Sequence, residues 1–178
     1  MGEHIAKSNF DERERMVFVQ HLIDDIKSLE TMIKERMIES DVVRIGAEQE
    51  MCLINSDYRP AAKSLEIIKA IDDPHFTTEL ASYNMEANLD PVQLGNECFR
   101  SMQDQLESLL KKARNKAEEH NTCILLTGIL PTISRDELRM EFMTPIPRYY
   151  KLNDILKAWR GDDFSVRIKG ADELSLHH

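Results

Sequence analysis

The chain reads as one domain in which strands alternate with helices of unequal length, an α+β or α/β fold. Three observations carry this reading. Two long segments, residues 11–38 and 94–120, repeat apolar side chains close to every 3.6 positions. The stretch 42–54, "VVRIGAEQEMCLI", alternates as a strand does. Further along, "TELASYNMEANLDP" and "CILLTGILP" are β-rich runs bounded by turn residues. A length of 178 residues suffices for one real core.

The first helix is expected over residues 11–38, with Val19, Leu22, Ile23, Ile26, Leu29, Ile33 and Met37 on its apolar side. Ser8 and Asp11 have the spacing of a weak capping box. Residues 1–40 therefore form an amphipathic arm, which either packs on its own domain or serves dimerisation. Residues 41–178 form the body. A short helix is expected over 61–71, stopping before "DDPH", then a β-rich segment over 77–89. The second long helix, 94–120, turns Phe99, Met102, Leu106, Leu109 and Ala113 inward. A buried strand at "CILLTGILP", a helix near 150–159 and a strand at "FSVRIKG" follow.

Charge narrows the function. Acidic residues outnumber basic ones 32 to 23, a net charge of -9. Nucleic acid and anionic membrane are poor partners for such a surface. Cys52, Cys98 and Cys123 are distant, odd in number and apolar in context, so buried free thiols in a reducing compartment are expected. No leader and no membrane-length apolar run is seen, and a cytoplasmic location is expected. Phosphate-binding glycine loops, zinc spacings and a Ser/His/Asp context are not found. His4, His21, His75 and His120 read as surface residues.

The strand 42–54 poses the sharper question. One face carries Val43, Ile45, Ala47, Gln49, Met51 and Leu53, and should cover a helix layer. The other carries Val42, Arg44, Gly46, Glu48, Glu50 and Cys52. Glu48 and Glu50 thus point the same way, about 6–7 Å apart. Like charges that close need a cation or water between them. With Gly46 leaving space beside them, the pair suits a divalent cation on hard oxygen ligands, Mg2+ first. A solvated outer sheet face is the plainer alternative. Glu79 and Glu86 lie seven apart, on opposite faces of an unbroken strand, but a bend near residues 82–84 would turn both to one site. Here the alternative is a half-exposed strand.

In that order, "IGAEQEMCLI", "ELASYNMEANLDP", "LLTGILPTI" and "IPRYYKL" resemble the glutamate–cysteine ligase type 2 family, the carboxylate–amine ligases of the glutamine synthetase-like superfamily. The resemblance covers about residues 42–149. It implies an α+β fold with an antiparallel or mixed sheet, helices packed on one face, and an incomplete catalytic domain. It implies that Glu48, Glu50 and Glu86 hold Mg2+ bridging nucleotide phosphates, with Glu50 catalytic. It places Glu79 near the substrate end. Arg148 of the Pro-Arg-Tyr segment would steady phosphate or a substrate carboxylate during catalysis, or is a surface residue after two prolines. The implied reaction is ATP-dependent amide formation from a small carboxylate and an amine, through an acyl phosphate.

The sequence departs from the family at Leu130, where many relatives carry histidine before the proline. The later His-rich strand and basic nucleotide contacts have no counterpart, and His177 and His178 are either native or a tag remnant. The chain is therefore expected to be the N-terminal part of a larger enzyme, inactive alone. It is also expected to self-associate through the first helix or an unpaired sheet edge. Two other functions stay open: a non-catalytic regulatory or interaction domain of the same fold, and a divalent-metal phosphohydrolase using the same carboxylates.

Overall fold

A computed structural model describes the backbone of residues 12–95, 97–160, 165–169 and 173–177, and side chains as far as residue 158. The cap expected at Ser8 and Asp11, together with His4 and His178, lies outside the described residues. The described residues divide into two units, one over Glu12–Thr144 and one that begins at Pro145. Residue 40 lies inside the first.

In the first unit, α1 (Glu12–Lys34) precedes a short strand β1 (Arg44–Ile45) and the longer β2 (Glu48–Ile54). Then come α2 (Ser64–Ile71), β3 (Phe76–Thr78), β4 (Asn84–Asn88), β5 (Val92–Gln93), α3 (Cys98–Glu119) and β6 (Cys123–Leu125). Two 3-10 turns follow, over Arg135–Leu138 and Met140–Phe142. The class is α+β. The main sheet is antiparallel in the order β3-β4-β2-β6, and β1 pairs with β5 in a separate ribbon. What reads as one strand over 42–54 is thus two. Pro91, which has no N–H to give a ladder, lies in the facing segment between β4 and β5, where the pairing is interrupted.

Register explains the layers. Met51 pairs with Met85, and Gln49 with Ala87. Met51, Leu53, Met85 and Ala87 are fully buried. They pack under α2 and α3, with Ile67, Leu109, Leu110, Ala113 and Ala117 completing the core. The inward row of β2 therefore matches its sequence alternation as far as Met51 and Leu53. Val43 does not follow it. It is 64% exposed, because it borders the β1–β5 ribbon rather than the helix layer. Phe99, in the first turn of α3, is likewise exposed.

Local chemistry sets the other boundaries. α2 begins at Ser64 rather than at residue 61, because Pro60 bridges Ile54 and the Ala61 N–H bonds the Leu53 carbonyl, extending the sheet. Asp72 ends it in the left-handed conformation, returning its N–H to Ile68. "CILLTGILP" is not a buried strand. Among the described residues only 123–125 pair, β6 is an edge, and its burial alternates with Cys123 and Leu125 exposed. Cys123 is accordingly an exposed thiol, while Cys52 and Cys98 are buried.

After β6 the chain crosses the outer face of β2, where Leu130 and Ile133 pack on Cys52 and Ile54. Arg59 holds this crossing. It donates to the Thr132 carbonyl at 2.6 Å, to Ser134 Oγ at 3.1 Å, and to Glu137. The Ser134 hydroxyl and backbone N–H, with Arg59, hold Glu137 down at about 2.

The second unit contains α4 (Pro147–Arg160) and an antiparallel hairpin of β7 (Ser165–Lys169) and β8 (Glu173–His177). Pro147 suits the first helical position, where no N–H is needed, so α4 starts three residues before the expected 150. β8 was not anticipated from the sequence.

Candidate functional site

The outer face of the main sheet carries the carboxylates. Glu50 of β2 stands opposite Glu86 of β4, and Glu86 opposite Thr77 of β3. One row thus runs Thr77, Glu86, Glu50 across three strands. Glu86 is fixed in place: its Oε1 accepts from Thr77 Oγ1 at 3.1 Å and from Asn88 Nδ2 at 2.7 Å.

Glu79 joins this row through a turn. The Asn84 N–H bonds the Ala81 carbonyl at 2.9 Å, reversing the chain between β3 and β4. A strap from far along the sequence pins the turn. Ala81 bridges Met143, Thr144 N–H donates to Leu80, and the buried Thr144 hydroxyl donates to the Glu79 carbonyl at 2.5 Å. Carboxylate oxygens of Glu50, Glu79 and Glu86 consequently lie within 4.8 Å of one another.

Glu48 faces the same side, opposite Asn88, but its carboxylate is not among these three. The space beside Gly46 does not depend on glycine, since a Cβ there would meet nothing within 4 Å. Arg148 lies in the second unit, at the start of α4. Its guanidinium donates to Tyr149 Oη at 2.6 Å and stacks over that ring at 4.6 Å. Its Nε has no partner among the described residues.

Three carboxylates this close cannot all stay ionised without compensation. Burial pushes the Glu79 carboxyl above the usual carboxylate range, and the Glu86 and Glu50 charges add to this. A hydrogen bond between Glu79 and Glu86 favours the protonated Glu79 further. Burial first and Glu50 second also raise the Cys52 thiol, so it stays protonated and unreactive. Asn84, on the same face of β4 as Glu86, keeps a buried Oδ1 with no donor. Carboxylate oxygens of Glu50, Glu79 and Glu86 this close together are hard donors of the kind a divalent cation takes.

This arrangement makes a signed pH prediction. Between the ordinary glutamate value, 4.5, and its raised folded value, Glu79 binds more proton in the folded state than in the unfolded one. Stability should therefore fall as pH rises through that window, and the loss should be complete above the folded value. Other groups titrate nearby. Asp73, held low chiefly by Lys112, loses its contribution on the acid side, while the His75 contribution, raised mainly by Asp73, fades above its ordinary 6.5. The comparison is thus between wild type and Glu79→Gln, by urea unfolding across pH 4–8 without divalent cation. The variant should be the more stable at pH 7, with the difference shrinking toward pH 4. A constant difference across the range would show that Glu79 does not titrate abnormally.

Sequence reasoning missed Thr77, Asn88, Asn84, Thr144 and Arg59. The first three were discoverable as outward positions of the same strands; the last two act through contacts more than 60 residues distant. No family model, no curated protein and no solved structure matches the chain.

Proposed function

We propose that the chain carries the acidic half of an ATP- and Mg2+-dependent carboxylate–amine ligase site of the glutamate–cysteine type, on a glutamine synthetase-like sheet. The observation that carries this reading is the meeting of Glu50, Glu79 and Glu86 within 4.8 Å on the open face of an antiparallel sheet. Glu50 and Glu86 would hold Mg2+ between strands, and Glu79 would join on losing its proton. Glu48, one pleat away, would reach it only through water or phosphate. The ion, when bound, neutralises phosphate oxygens and aligns the transfer.

The chain's own contribution is placement. Thr77 and Asn88 orient Glu86, and Thr144 fixes the backbone of Glu79. Glu79 can accept or hold a proton as an amine arrives, which suits its raised value.

Calorimetry of ATP binding to the 178-residue chain tests this. Binding should require Mg2+. ATP bound equally well in chelator would remove the acidic trio from nucleotide binding. Release of ADP from Mg-ATP without any amine or carboxylate would favour a phosphohydrolase instead.

A further inference from the structure

The helix α1 presents a second problem. It is 23 residues long, about 34 Å, and none of its residues is buried. Val19, Leu22, Ile26, Leu29 and Ile33 recur at alternating steps of three and four, each between 48% and 61% exposed. Ile23 and Met32 flank them and are also exposed. Most amphipathic helices hide such a stripe against their own core. The apolar stripe of α1 is left without cover among the described residues.

We infer that α1 is a self-association helix, whose stripe is covered by the same helix of a second copy of this chain. The seam itself argues for a helical partner. Val19, Leu22, Ile26, Leu29 and Ile33 keep the three-four spacing by which the side chains of one helix interdigitate with those of another. Area agrees. Seven apolar side chains, each about half exposed, offer on the order of 600 Å² per copy, which matches the roughly 1,200 Å² in total of a small stable interface.

Charge agrees as well. The chain as a whole is at -9, but α1 carries five acidic and four basic residues, so two copies of it do not repel. Charge also selects the direction. A parallel pair would set Asp25 against Glu30 of the second copy, beside the seam. An antiparallel pair, with Ile26 facing Leu29 of the second copy, brings these acids against apolar neighbours and opposes the helix dipoles favourably. The near-neutral polar face gives an anionic lipid surface little to attract. The inference does not rest on the ligase reading.

The test uses the full chain and its Ile26→Glu/Leu29→Glu variant. Because α1 contributes nothing to the core, this variant leaves the sheet domain intact, and its urea midpoint at low concentration should equal that of wild type. Sedimentation equilibrium from 1 to 100 µM should show a wild-type dimer. The dissociation constant of the variant should be at least about 100-fold weaker, since each copy buries two charges in the seam. A wild type that stays monomeric across this range overturns the inference. So does a variant that remains dimeric, which would place the contact elsewhere, as at the β6 edge. Wild-type monomers that partition onto neutral phosphatidylcholine vesicles would overturn it in favour of lipid.

Discussion

Glu50→Gln should abolish the stabilisation of this protein by Mg2+. In the wild type, Mg2+ at about ten times its dissociation constant should add about 1.4 kcal/mol, raising Tm by several degrees. Glu50 stands at the centre of the effect because it faces Glu86 directly across the β2–β4 ladder and lies within reach of Glu79. Removing its charge leaves two carboxylates that already share a hydrogen bond and need no cation between them. The variant should gain slightly in Tm without Mg2+ and show no further rise with it. Glu86→Gln should behave likewise. Glu48→Gln is the informative control: its carboxylate is outside the trio, and its Mg2+ response should stay within about threefold of wild type in affinity. Thermal scans with and without Mg2+, supported by calorimetry, decide the matter. An undiminished response in Glu50→Gln would remove it from the cation site.

The largest loss of stability is expected from Leu53→Ala. Leu53 is fully buried, one strand position from the end of β2, and packs in the cluster that joins the sheet to α2 and α3. Truncating a buried leucine removes transfer energy and leaves a cavity, together about 3–4 kcal/mol. Against a usual total of about 5–15 kcal/mol, this is a large share. The urea midpoint should fall with little change in slope. Phe99→Ala, on a larger but 73% exposed side chain, should cost no more than about 0.5 kcal/mol. The reverse order would mean that the layer assignment is inverted.

Much of this layering is legible in the sequence, because alternation is local. Met51 and Leu53 inward, with Glu48 and Glu50 outward, follow from a period of two, and so do Met85 and Ala87 against Glu86. The α3 core face follows from a period of 3.6. Edges and junctions do not. Whether "CILLTGILP" is central or marginal depends on which strands flank it, and nothing in those nine residues says that β6, among the described residues, has only β2 beside it. The exposure of Val43 has the same origin.

The candidate site divides along the same line. The pairing of Glu50 with Glu86 could be anticipated as two acidic strands in one sheet. The arrival of Glu79 rests on the turn at residues 81–84 and on Thr144, 65 positions away, whose hydroxyl has no sequence signature. Arg59 and Glu137 are similar, a local charge on each side that becomes a clasp only after the chain has crossed β2.

The two faces of β2 and β4 also differ in how freely they can drift. The inward row is constrained by volume, so nearly every exchange at Met51, Leu53, Met85 or Ala87 is felt by the whole domain. The outward row is less crowded: Glu50 is exposed, while Glu86 and Thr77 are half-buried and meet through a hydrogen bond across the ladder. Descendants of this sequence can therefore rewrite the outward row, one residue at a time, without passing through an unfolded ancestor. Such a scaffold can change the chemistry of one face while its shape stays inherited.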